Sequence, residues 1–165
     1  MNSTPELFNL LRLPILAQSV VFNLMCVRTQ YDLSKACTRS QNLVRSLTLP
    51  NSYQQSIKFT TSCMFRLQKN NEDDGILVAR LYWNDMMFEN LKNEMEFISK
   101  VFKQPIINLS SYINSEIISV LLLAKKLNLN MGSVFVSQLW ITQHLSAESY
   151  KCIMMETSNA KRLLV

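Results

Sequence analysis

The residues able to do chemistry are few and far apart in this chain of 165 residues. There is one histidine, His144, with no second histidine or cysteine beside it. Neither a metal centre nor a histidine-dependent nucleophile can be built around it from its neighbours. The four cysteines are Cys26, Cys37, Cys63 and Cys152, and no two form a C-x-x-C pair. That removes the common zinc and redox spacings. Cys26 and Cys37 are expected on one continuous helix, about 16 Å apart at 1.5 Å per residue, beyond disulfide reach. The thiols are read as free and mostly buried, in a reducing compartment.

Glycine occurs twice, at Gly75 and Gly132, which excludes a glycine-rich phosphate loop. Glu89, Glu94 and Glu96 fall on the outer faces of a predicted helix, and Glu116 stands alone among apolar residues. A single buried acid is not an acid/base pair. The stretch Asn70 to Gly75 is acidic but lacks the D-x-[DN]-x-[DN]-G spacing of a calcium loop. The sequence therefore assigns no catalytic residue, no cofactor and no metal ligand, and the expected class is a non-enzymatic protein.

Charge is the next chemical signal. The net charge is +5, and between Leu7 and Lys69 stand eight basic residues against one acid, Asp32. Arg28, Lys35, Arg39 and Arg45 make a candidate basic face, with Asp32 placed to pair with Arg28 or Lys35. Such a face is solvated or meets an acidic partner, nucleic acid or an anionic membrane surface. The basic residues stand singly, which weakens the nucleic-acid reading.

The elements that would carry these residues are read from periodicity. Scarce glycine, four prolines and long apolar repeats predict an all-α protein. The strongest repeat runs over residues 76–103, where Leu77, Leu81, Asn84, Phe88, Leu91, Met95, Ile98 and Phe102 recur in alternating fours and threes. This is the period of a coiled-coil seam, and a lone Asn84 within it either fixes register or partner choice or, with a slight rotation of the helix, meets water. Tyr82, Trp83, Asn84, Met87, Phe88, Leu91 and Met95 are the candidate partner-binding residues. Further helices are predicted from Ser3 with a break at Pro14, over 15–48, over 52–69, within 106–128, and in two short pieces after Gly132. The 15–48 stretch is one long helix whose buried seam, Ala17, Val20, Leu24, Val27 and Tyr31, shifts near residue 32, or two helices joined there. The predicted breaks are Leu49 to Ser52, Asn70 to Gly75, Lys103 to Pro105, and Asn128 to Gly132.

These readings make an elongated bundle of five to seven helices with heptad seams, a single domain over 1–165 divisible into a basic part, 1–69, and a second part, 76–165. Residues 117–142 have the general form of a helix-turn-helix, although the second segment, SVFVSQLWIT, has no Lys or Arg to contact phosphate. The apolar stretches 13–27 and 117–124 are too short or too polar to span a bilayer, and no secretory leader is evident. The expected function is an intracellular adaptor or subunit, cytoplasmic or nuclear, that binds other proteins by helix–helix packing. A DNA-associated helix-turn-helix protein is the alternative, and a secreted helical-bundle factor is a lower one.

Overall fold

The computed structural model describes residues 10–60, 62–70, 75–82, 86–112, 115–137, 151, 155 and 162–164, and the side chains of these except 111, 112, 115–117, 136, 137 and 162–164. The fold is mixed, not all-α. After a short 3-10 turn, Leu10–Arg12, come three ten-residue helices, α1 (Ile15–Leu24), α2 (Val27–Ala36) and α3 (Thr38–Leu47). Then follow β1 (Tyr53–Phe59), β2 (Cys63–Lys69), β3 (Gly75–Leu81), α4 (Met87–Val101), β4 (Ile106–Tyr112), α5 (Ser115–Lys126), β5 (Met131–Ser137) and β6 (Arg162–Leu164). The strands form one sheet in the order β3-β2-β1-β4-β5-β6. β2 runs antiparallel to β1 and β3, whereas β1, β4, β5 and β6 are parallel.

Strands replace expected helix over 52–69 and at the starts of the helices expected over 76–103 and within 106–128, where β3 and β4 stand. Residues 52–69 form the β1–β2 hairpin. Along β1, Tyr53, Gln55, Ile57 and Phe59 are buried, and along β2, Cys63, Phe65 and Leu67 are buried, while the residues between them are not. That is a period of two, and the buried Gln55 breaks its apolar pattern. The hairpin turn, Thr60 to Ser62, contains neither Gly nor Pro, and closes with the Thr60 amide donating to the Ser62 carbonyl at 3.0 Å. The seam of 76–103 is likewise composite. Leu77 and Leu81 belong to β3, and the helical part begins only at Met87. A spacing of four fits a strand as well as a helix over so short a run. From Leu91 onward the period is real: Leu91, Met95, Ile98 and Phe102 are all completely buried. They face the chain's own sheet and helices, so this is an internal core and not a coiled coil.

The 15–48 stretch is neither one helix nor two joined near residue 32, but three helices with breaks at Met25–Cys26 and at Cys37. Met25 and Cys26 are extended, and so is Cys37, at φ −163° and ψ 166°. Cys37 caps α3 reciprocally with Ser40: its amide donates to Ser40 Oγ at 3.2 Å, and the Ser40 amide donates to Cys37 Sγ at 3.5 Å. The expected turns at 49–52, 103–105 and 128 are present. They hold left-handed backbone at Asn51, Lys103, Gln104 and Asn128.

Gly132 serves a strand rather than the turn expected there. The β4–β5 register passes from Ile107↔Met131 to Leu109↔Val134, so β5 carries an extra residue at a bulge. A Cβ on Gly132 would collide with Asn108 Oδ1 and stand 2.7 Å from Ile106 Cγ2. Gly132→Ala is expected to cost about 1–3 kcal/mol through this overpacking, read as a lowered midpoint in urea. An unchanged midpoint would show that the β4 side chains yield freely.

Candidate interaction surfaces

The helices cover one face of the sheet. Tyr53, on the inner face of β1, donates from its hydroxyl to Gln30 Oε1 at 2.5 Å and stacks edge-on with Phe102, ring centroids 4.9 Å apart. Gln30 in turn donates to the carbonyls of Phe22 at 2.8 Å and Met25 at 3.1 Å. The end of α1, the middle of α2 and β1 are thus tied by one buried amide.

A second tie joins α2 to α4. The Tyr31 hydroxyl donates to Glu94 Oε2 at 2.9 Å, and Lys35 Nζ lies 3.0 Å from Glu94 Oε1. Lys35 Nζ also sits 3.8 Å from the Phe97 ring centroid, a cation–π geometry. Burial, and then the Glu94 carboxylate, push the Tyr31 hydroxyl well above its ordinary range. Lys35 is therefore engaged inside the fold with Glu94 and not with Asp32. Arg39 reaches the Leu11 carbonyl at 3.5 Å, and Arg28 and Arg45 are exposed. The predicted basic face is divided between internal ties and solvent.

The predicted partner-binding residues are divided too. Met87, Leu91 and Met95 are in the core, which leaves them no surface for a partner, and Phe88 packs against the core half-buried. Tyr82 is exposed, and so is Met86. Trp83 and Asn84 lie outside the described residues, as does His144. The helix-turn-helix reading of 117–142 is corrected: α5 is followed by β5, so no second helix forms over 131–137.

The surface missed by periodicity is on α1. Ile15, Leu16, Val20 and Leu24 are 59%, 80%, 61% and 82% exposed, whereas Gln18 and Phe22 face inward. Val20 and Leu24 were expected on a buried seam. Leu16, Val20 and Leu24 follow at intervals of four and form one stripe. Four large apolar side chains on one ten-residue helix are more than scattered surface apolarity. The signal in the sequence is that α1, ILAQSVVFNL, is apolar on most of its circumference, more than one buried side can use.

The other surface is the outer face of the sheet. A cleft of about 370 Å³ lies there, lined by residues of β1, β2, β4 and β5, among them Ser56, Lys58, Arg66, Asn108 and Phe135. No strand of the sheet contains an acidic residue. The sheet also has a switch point, where the chain leaves β1 toward β2 on one side and β4 toward β5 on the other. Ligands of open α/β sheets bind at the carboxyl ends of such strands. The described residues there are Phe59, Thr60, Ser62, Ser111 and Tyr112, and among them is no acid, base or thiol pair. Among the described residues no three of His, Cys, Asp and Glu cluster to hold a metal.

No disulfide joins the described cysteines to one another; Cys26 and Cys37 are exposed and Cys63 is buried. Two of the three are thus not in the core, contrary to expectation. Ser40, through its hydroxyl and then its amide, lowers Cys37 below the usual thiol range. Burial pushes Cys63 from the ordinary 9.0 up to about 12. Iodoacetamide at neutral pH is expected to label Cys37 readily and Cys63 only on unfolding, as read by peptide mass. Because the Cys63 pKa is raised in the fold, its contribution to stability is full below pH 9.0 and is lost as pH rises through about 12. Labelling of Cys63 in the native protein would show that the β2 core opens.

No protein-family model matches the sequence, and no curated protein matches it. One solved structure is similar, a Bacteroides thetaiotaomicron protein described as having an actin-like ATPase fold and unknown function. The identity is 13%, the match covers 69% of this chain and 52% of that one, and the TM-score is 0.31. The chain spans about half the length of that structure.

Proposed function

We propose that the protein is a non-enzymatic adaptor, and that it docks another protein by helix–helix packing on the exposed stripe of α1. The observation carrying this reading is the exposure of Ile15, Leu16, Val20 and Leu24 on a helix whose inner side is anchored through Gln30. A partner helix laying apolar residues along that stripe would remove about 300–500 Å² of apolar surface from water, a large gain at about 25 cal/mol per Å². The compartment is cytoplasm or nucleus, supported by the exposed thiol of Cys37. No described helix is long and apolar enough to cross a membrane.

Leu16→Asp with Leu24→Asp tests the reading. Both side chains are exposed, so the thermal midpoint is expected to stay within a few degrees. Proteins retained by the wild type in a quantitative pull-down are expected to fall at least tenfold. Equal retention by the double variant would sink the reading.

A further inference from the structure

The strand register builds a row across the outer face that no single strand shows. Arg80 pairs with Met64, Met64 with Lys58, Lys58 with Ser110, and Ser110 with Phe135. The five residues stand side by side on β3, β2, β1, β4 and β5. At about 4.8 Å per strand the row is about 19 Å long. In the next row, Arg66 pairs with Ser56 and Ser56 with Asn108. Asn108 is fixed: its amide donates to Gln54 Oε1 at 2.8 Å, and its Oδ1 accepts from the Ser133 amide at 2.9 Å. Lys58, Arg66, Arg80 and Phe135 are all exposed.

We infer that this face is a docking site for an extended polypeptide segment bearing anionic side chains, carboxylate or phosphoryl, running across the strands. Among the described residues, three cations and no strand carboxylate give the face a single sign, and charge complementarity selects the occupant. Arg66 lies diagonal to Lys58, about 7 Å away, so the two can share one anionic group. Arg80 and Lys58 stand two strands apart, about 10 Å, which is about three residues of extended chain. Phe135 stands the same distance beyond Lys58, on the other side. The row therefore fits an anionic residue, a second one three positions on, and an apolar residue three positions after that. The hydroxyls of Ser56 and Ser110 and the second amide hydrogen of Asn108 supply hydrogen bonds to the peptide backbone between those anchors. Single-stranded nucleic acid is the poorer occupant, because stacking wants several aromatic platforms and the row offers Phe135 alone.

The polypeptide nature of the occupant rests on the adaptor reading, but the two fail separately, since Leu16→Asp with Leu24→Asp lies on α1 and should leave this face unchanged. The probe is a fluorescein-labelled peptide, Glu-Ser-Gly-Glu-Ser-Gly-Phe flanked by glycines, measured by anisotropy at low salt. Gln-for-Glu and phosphoserine-for-Glu versions, and a ten-nucleotide oligothymidine, are the other arms. The Glu peptide is expected to bind, and Lys58→Glu with Arg66→Glu to weaken it at least tenfold without altering the circular dichroism. Raising salt to 0.5 M should weaken it further. Tighter binding of the phosphoserine peptide assigns the phosphoryl source, and equal or weaker binding assigns the carboxylate. The inference is overturned by Glu and Gln peptides binding alike, or by a charge-reversed protein that binds as the wild type does. It is overturned equally by oligothymidine binding tighter than every peptide. Light scattering that shows a dimer dissociated by Arg66→Glu would assign the face to a second copy of the chain.

Discussion

Leu91→Ala is expected to lose about 2–5 kcal/mol of stability, the range for emptying a fully buried leucine site. A domain of this size has about 5–15 kcal/mol in all, so the variant should unfold at markedly lower urea with an unchanged slope. Leu91 is completely buried on α4, in line with Met95 and Ile98, and these three lie at the centre of the core. Leu91→Asp, which would leave a charge in that position with no counter-ion, is expected to give no folded protein. Tyr82→Ala and Met86→Ala are the controls. Both residues are exposed, so both should stay within about 0.5 kcal/mol of the wild type. The experiment decides between two uses of one periodic pattern. If Leu91→Ala kept its unfolding midpoint while losing a binding partner, α4 would be a docking helix after all.

That pattern shows what the sequence could and could not disclose. The four-three spacing from Leu91 to Phe102 identified a helix with one buried side, and the chain stops at Asn51, Lys103 to Pro105 and Asn128 were legible from their residue types. What the sequence did not distinguish was packing inside the chain from packing against a partner, because a buried stripe looks the same in both. The strands were hidden for a separate reason. Tyr53 and Ile57 stand four apart, as on a helix, and the residue between them on the inner face is Gln55, whose polarity masks the alternation. In β2 the alternation of Cys63, Phe65 and Leu67 with Met64, Arg66 and Gln68 was there to be read. Scarce glycine outweighed it, yet the turns of this sheet use Asn51, Gln104 and Asn128 where glycine would be the usual choice. The row of Arg80, Lys58 and Phe135 had no one-dimensional signature, since it depends on the pairing of five strands. Lys58 and Arg66 were visible as charges and were placed on a helix that does not exist. The α1 stripe was half visible: the helix was expected, but Val20 and Leu24 were assigned to its buried side.

Gln30→Leu is expected to have the second large effect, and a different one. The side chain is completely buried and its amide serves three groups: the Tyr53 hydroxyl, the Phe22 carbonyl and the Met25 carbonyl. Leucine matches the volume but offers none of these bonds. A buried polar group left without its partner costs about 1–3 kcal/mol. The Met25 carbonyl, at the helix end, can recover water, whereas the Tyr53 hydroxyl, on a residue only 2% exposed, cannot. The expected loss is therefore about 2–5 kcal/mol. Tyr53→Phe removes the hydroxyl itself, so adding it to Gln30→Leu should cost less than the sum of the two single changes. The loss should also be local before it is global, because two of the three bonds hold the end of α1. Amide exchange in 15–24 is expected to accelerate more than exchange in β1 or α4. The consequence reaches the surface: Leu16, Val20 and Leu24 present one stripe only while Phe22 is held inward. Retention of a partner should then fall in Gln30→Leu even at temperatures where the sheet remains folded. If exchange in α1 were unchanged while the protein lost stability, the amide would be anchoring α2 to the sheet, and α1 would owe its position to Phe22 packing alone.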